Sequence, residues 1–283
     1  MKNQKSLYVE QLIYEMQLRN YSPRTIDSYG KAMSKLETFT GIPLDKITVP
    51  QFKDYLHRLI TTEAISVSLV NQYLSAFKIL QVDVLKRDWD QFKIKRPRRE
   101  KKLPVVLSFD EVEKLISVTD NLKHRAILML AYSTGMRRQE VQQIKPSAID
   151  SARMQVHVVQ GKGKKDRYTI LSAKALDTLR TYYKIERPLT FLFEPQSKKG
   201  RPLADQTLAH IIKNCAAKAD IKKKISFHTL RHCFATHLLE QGVNLRLIQQ
   251  FMGHVSLKTT AGYLHLVHID PSSVVSPLDL MNV

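Results

Sequence analysis

The chain has 283 residues, 43% of them hydrophobic, with 45 Lys+Arg against 26 Asp+Glu for a formal net charge of +19. That length and apolar content suit two packed domains, and the positive surplus suits a partner made of phosphates, held in a salt-dependent way. Two cysteines, Cys215 and Cys233, are too few for a disulfide framework and fit a reducing compartment, while the longest apolar run, residues 126–132, is far too short to span a bilayer and the N-terminus lacks the apolar core of a signal peptide.

The first hundred residues read as helices with short breaks. Leu7, Leu12, Ile13, Met16 and Leu18 recur at roughly helical spacing. Ser22-Pro23 then supplies a cap and a proline at the first helical position. The helix it opens carries Ile26, Tyr29, Met33, Leu36 and Phe39, and Gly41-Ile42-Pro43 stops it. A third helix after Thr48 carries Phe52, Tyr55, Leu56 and Leu59; a fourth carries Leu69, Tyr73, Leu74, Phe77 and Leu80. No strand alternation appears, so residues 1–93 are expected to form a small helical domain.

Residues 94–104 have no apolar periodicity and read as a basic linker. Lys93, Lys95, Arg96, Arg98, Arg99, Lys101 and Lys102 put seven cations into ten residues. A solvated tether is the simplest account of such a run. In a chain this basic, a cationic tether between two domains fits better along a nucleic-acid backbone. Further knots are Lys162/Lys164/Lys165/Arg167, Lys198/Lys199/Arg201 and Lys222/Lys223/Lys224.

The second domain, residues 105–283, opens on Ser108-Phe109-Asp110-Glu111, a capping box. A buried helix is expected from about Leu122 to Ser133, ending near Gly135. Val156, Val158 and Val159 mark a strand, the segment Gly161 to Asp166 a turn, and Tyr168 to Leu171 a return strand. Helices resume around 173–183, 205–217, 228–241 and 245–252, the last two closed by Gly242 and Gly253. The expected fold class is mainly α with a small β-sheet.

Chemistry concentrates in three segments. On the helix opening at His228, the three- and four-residue steps bring His228, Arg231 and His232 to one face, away from the stripe Leu230, Phe234 and Leu238. The His228/His232 spacing would also suit zinc, but no Glu follows His228 as in the zincin pattern and no cysteine pair stands nearby. Arg137 follows a Thr-Gly turn, where its fork can meet a phosphate, and Glu140 three residues on would orient it. The basic hairpin tip offers an ammonium. Tyr263, otherwise one of 11 tyrosines, stands nine residues after His254 and just after Thr259-Thr260.

Arg137, Lys162, His228, Arg231, His254 and Tyr263, in this order and spacing, resemble the signature of the tyrosine recombinase (phage-integrase) family. The run from His228 to Leu239 looks like that family's second box, and Gly253-His254 to Tyr263 like its last. Residues 21–29 resemble the start of the core-binding domain in Xer-type and mobile-element integrases, so the resemblance covers nearly the whole chain. Departures are Gln139, where a small residue is usual, and Gly262, where a larger one is common. Nothing before residue 6 has room for an arm-binding domain, which suggests the two-domain kind.

The resemblance implies a helical core-binding domain plus a mixed α/β catalytic domain. It implies attack of Tyr263 on a scissile phosphate, giving a 3′-phosphotyrosyl link and a free 5′-hydroxyl without cofactor or metal. Arg137 and Arg231 would stabilise the pentacoordinate state. Lys162, with Lys164 as the alternative, would protonate the leaving oxygen, His228 would help accept the tyrosine proton, and His254 would hydrogen-bond the phosphate. Lys93, Lys95, Arg96, Arg98, Arg99, Lys164 and Lys165 are the expected DNA contacts. The implied partners are double-stranded recombination sites and three further copies in a homotetramer, at the nucleoid of a bacterial-type cytoplasm, with no membrane. The apolar tail Leu278, Leu280, Met281 and Val283 is expected to dock on a neighbouring protomer or fold back on its own domain. Alternatives are strand relaxation as in type IB topoisomerases, and a DNA-binding regulator without catalysis.

Overall fold

The computed structural model describes residues 6–89, 94–97, 103–159 and 166–267. It divides into two compact units, Met1–Lys102 and Leu103–Val283.

The first unit is helical. It contains α1 (Leu7–Leu18), α2 (Pro23–Thr40), α3 (Val49–Thr61) and α4 (Val67–Ile79), and the chain continues past α4 in a π turn over Leu80–Val84. Local chemistry sets the helix starts. The Ser22 hydroxyl accepts from the Thr25 N–H ahead of Pro23, and Thr48 and Gln51 form a reciprocal capping box. The core is Leu12, Met16, Met33, Leu36, Phe52 and Phe77, with the Phe52 and Phe77 rings stacked at 3.9 Å between centroids. Arg19 closes the end of α1 onto Asp83 through a two-pronged ion pair at 2.7 and 2.6 Å. Arg96 turns its guanidinium onto α4, donating to the Asn71 carbonyl and side chain at 3.2 and 3.0 Å and to Ser75 at 3.1 Å.

The second unit is mixed. It contains α5 (Phe109–Ser117), α6 (Leu122–Thr134), α7 (Arg138–Gln143), the strands β1 (Ile149–Asp150), β2 (Gln155–Val158) and β3 (Arg167–Ile170), then α8 (Ala173–Glu186), α9 (Asp205–Lys218), α10 (Phe227–Glu240), α11 (Leu245–Met252) and α12 (Leu257–Ala261), followed by a 3-10 turn over Gly262–Leu266. The strands make one antiparallel sheet in the order β1-β2-β3, with Val156 opposite Thr169 and Val158 opposite Arg167. Among the described residues no helix is long and apolar enough to cross a membrane.

The fold class is the expected one, mainly helical with a small sheet. The structure adds α7, α12 and β1, each of six residues or fewer, too short to show a period in the sequence. It also alters α10. The expected single apolar stripe becomes burial on most sides, taking in Thr229, Arg231, Thr236 and His237 as well as Leu230, Cys233 and Phe234. Neighbours meet these polar groups. His237 Nε2 lies 2.9 Å from the Leu107 carbonyl, which only accepts, so Nε2 carries the proton and Nδ1 accepts from the Tyr132 hydroxyl at 2.8 Å.

α6 and α10 cross closely at Gly135. This residue caps α6 in the left-handed region, φ +61°, and a Cβ there would lie 2.3 Å from Phe234 Cδ1. Only glycine satisfies both the backbone and the ring. Gly135→Ala is therefore expected to destabilise the second unit by roughly 2–4 kcal/mol, combining left-handed strain with overpacking. Denaturant unfolding of the two proteins checks this through the shift in midpoint.

Candidate active site

Gly135 ends α6 and releases the chain into an extended residue, Arg137, which precedes α7. The Glu140 carboxylate reaches back to the Arg137 N–H at 2.6 Å and to its Nη1 at 2.8 Å. This is a helix-start contact doubled by an ion pair. It holds the Arg137 side chain, 19% exposed, at one orientation. The second guanidinium nitrogen of Arg137 donates to the Gly253 carbonyl at 3.1 Å.

Arg231 rises from the first turns of α10 and is only 3% exposed. Its Nη1 donates to the Gly135 carbonyl at 2.6 Å, and its Nη2 donates to the Met252 carbonyl and to His254 Nε2, the last at 3.0 Å. Both carbonyls stand at helix C-termini, where the backbone dipole favours a cation. Burial, then repulsion from Arg137, pulls the Arg231 pKa down to about 9, so it remains charged at neutral pH. Three of its five N–H donors are used among the described residues.

His254 follows the left-handed Gly253 that closes α11. Arginine only donates, so the Arg231 contact fixes Nε2 as acceptor and leaves the proton on Nδ1, which donates to the Thr260 hydroxyl at 2.9 Å. Burial, with Arg231 and Arg137 next, lowers the His254 pKa to about 4, so the ring is neutral.

Tyr263 sits in the 3-10 turn after α12 and is buried at 6% exposure. Its hydroxyl lies 3.0 Å from His232 Nδ1. Burial raises the phenol pKa, while Arg231 and Arg137 pull it back down. Burial, then His228 and Arg231, lowers the His232 pKa to about 4, so the ring facing the phenol is neutral. The His254 ring lies nearly parallel to the tyrosine, 6.3 Å between centroids and 7° between planes.

Five of the expected residues thus converge: Arg137, Glu140, Arg231, His254 and Tyr263. His228 lies on the first turn of α10 with part of its surface open to solvent, its ring 6.3 Å from that of His232, and partial desolvation of the imidazole followed by Arg231 lowers its pKa. Lys162, Lys164 and Lys165 lie outside the described residues, as do Lys93, Arg98 and Arg99. Lys95 is exposed, whereas Arg96 is tied to α4. The structure adds three residues to the cluster. His232 had a sequence signal, since it shared the face of His228 and Arg231. Thr260 and Arg167 had none beyond the threonine pair and the basic knot that contain them.

Residues 105–268 match the phage integrase family, and residues 8–91 match the phage integrase N-terminal SAM-like domain. The chain belongs to the phage integrase family. It is a site-specific tyrosine recombinase. Its relatives include the tyrosine recombinase of Thermosipho africanus, 31% identical over 94% of this chain and 96% of that protein, and the tyrosine recombinase XerC of Bacillus subtilis, 32% identical over 94% and 92%. A solved structure of the XerH site-specific recombinase, a post-cleavage complex on a palindromic difH substrate, has a TM-score of 0.68 at 25% identity, covering 91% of this chain and 81% of that one.

Among the described residues, Glu140 is the one carboxylate in the cluster. Burial pushes its pKa up, but hydrogen bonds and charge from Arg167 and Arg137 outweigh this and bring it from its ordinary 4.5 down to about 2. A depressed carboxyl contributes stability that is complete above the unfolded value and lost as pH falls through the folded one. Glu140→Gln is expected to cost about 3–5 kcal/mol at neutral pH, the range for breaking a buried pair. The gap between wild type and variant should be constant above pH 4.5 and close as pH approaches about 2. Urea unfolding across that range measures it.

Proposed function

We propose that Tyr263 is the nucleophile of this recombinase and that Arg137, Arg231 and His254 receive the scissile phosphate. The observation that carries the proposal is the Tyr263 hydroxyl, hydrogen-bonded to a neutral imidazole at 3.0 Å beside the guanidiniums that stabilise its phenolate. The phenol O–H breaks as the O–P bond forms. Its proton passes to an imidazole, and the P–O bond to the 5′ carbon's oxygen breaks. His228 is the expected acceptor from the resemblance. His232 Nδ1 is the nitrogen in contact with the phenol, and it is proposed as the first acceptor, with the His228 ring facing it. The leaving oxygen takes its proton from Lys162 or Lys164 of the hairpin.

The phosphate changes the hydrogen bonding of the free site. Its oxygens compete for the Arg231 and Arg137 donors and replace neutral carbonyls with a charged acceptor. Their negative charge also favours a proton on His254 Nε2, which then donates. One phosphodiester is exchanged for another of similar energy, so the chemistry calls for no nucleotide.

The proposed substrate is a double-stranded recombination site. The helical domain, residues 1–93, and the catalytic domain, 105–283, would each bind it, with the 94–104 linker and Lys95 on the backbone. Exchange between two duplexes breaks four strands, and with one Tyr263 per chain this calls for a homotetramer. A place at the bacterial nucleoid follows from the substrate. The apolar tail proposed to join neighbouring protomers lies outside the described residues.

Tyr263→Phe is expected to bind cognate duplex as the wild type does and to form no denaturation-resistant adduct on a nicked suicide duplex. Arg137→Ala and Arg231→Ala should each slow adduct formation by about 10²–10³. An adduct with Tyr263→Phe would transfer the nucleophile's role elsewhere. Joined products from two duplexes separate recombination from strand relaxation.

A further inference from the structure

Arg167 is the first residue of β3, and its side chain is only 8% exposed. Its guanidinium grips both oxygens of Glu140, Nη1 at 2.8 Å and Nη2 at 2.7 Å, while Nε donates to the Phe251 carbonyl at 2.8 Å. Its stem runs under the turn at Gly253, where a Cβ would lie 2.7 Å from Arg167 Cδ. One side chain therefore touches the group that orients Arg137, the last turn of α11, and the glycine before His254.

The charge balance makes this contact specific. Glu140 paired with Arg137 alone would cancel the guanidinium meant for a phosphate. With Arg167 on the same carboxylate, two cations share one anion and the Arg137 side keeps a net positive charge. The fork geometry matters as well. A planar guanidinium serves both carboxylate oxygens and a carbonyl together, while an ammonium is a point charge on a flexible stem.

We propose that Arg167 is a positioning residue for strand cleavage, holding Glu140 and the end of α11 so that Arg137 and His254 meet the scissile phosphate in a net cationic setting. The proposal rests on the reading of the cluster as the cleavage site. Arg167 touches no reacting atom; it acts through Arg137 and His254.

The test uses the full chain and a nicked duplex recovered by covalent trapping with the wild-type protein from a randomised library. Wild-type adduct formation tests the cleavage reading by itself; the Arg167 variants then test this proposal. Arg167→Gln should keep duplex affinity but lower the single-turnover cleavage rate on the order of 10²-fold, the scale of a small misplacement at a reacting centre. Arg167→Lys should recover part of that loss. In the Arg137→Ala background, Arg167→Gln should add much less than its own factor, because the two act as a unit. Wild-type cleavage by Arg167→Gln would overturn the proposal. So would losses that multiply with those of Arg137→Ala, or a fall in duplex affinity that accounts for the whole effect. Thermal unfolding is followed alongside. Should Arg167→Gln not fold, Arg167→Lys decides: folded and slowed supports the proposal, folded and fully active overturns it. Failure of both to fold would make Arg167 a stability residue and overturn it as well.

Discussion

The site depends on the C-terminus of α11. The carbonyls of three successive residues there, Phe251, Met252 and Gly253, each accept a guanidinium N–H, from Arg167, Arg231 and Arg137 respectively. The last carbonyls of a helix lack partners within it and carry the negative end of its dipole. Three arginines from β3, α10 and the α6–α7 turn are thereby gathered at one point. Among the described residues, the backbone does this without a matching set of carboxylates. Glu140 is the carboxylate among them, and it binds two of the three.

Gathering cations in a buried place is costly, and the depressed pKa values of Arg231, His254 and His232 register the cost. The imidazoles lose their protons and become neutral hydrogen-bonding groups; the guanidiniums keep theirs. What remains is a net cationic cluster, and the proposed phosphate would supply counter-charge to it. Donors fixed in advance need not be reorganised when charge develops, and this is the main way a preorganised site stabilises a transition state. The same arginines bear on Tyr263, where they oppose the effect of burial and ease ionisation of the phenol.

Two glycines allow this closeness. At Gly135 the α6 cap lies against Phe234, and at Gly253 the α11 cap lies against the Arg167 stem; each sits at positive φ, and at each a Cβ would collide. In both cases the glycine's own carbonyl accepts from an arginine of the proposed phosphate site, Gly135 from Arg231 and Gly253 from Arg137. Packing and chemistry meet at the same peptide units.

Much of this was legible in the sequence. Ser22-Pro23, the Thr48 and Ser108 caps and the Gly135 and Gly253 stops are local signals, and the helices they bound appear in the structure because caps act within a turn or two. Arg137, Arg231, His254 and Tyr263 were legible as side-chain types at characteristic spacing, and Glu140 through its three-residue offset from Arg137. Arg167 and Thr260 were not. Their partners are a carboxylate 27 positions away in one case and an imidazole presented by a glycine turn in the other, and the carbonyls that organise the arginines belong to every residue alike. The sequence by itself determined the helices, their caps and the kinds of group the site would use. Tertiary structure alone decided which carbonyl meets which guanidinium and which histidine faces the tyrosine. A local pattern sets direction along one helix, and only packing of α6, β3, α10 and α11 sets the distances between them.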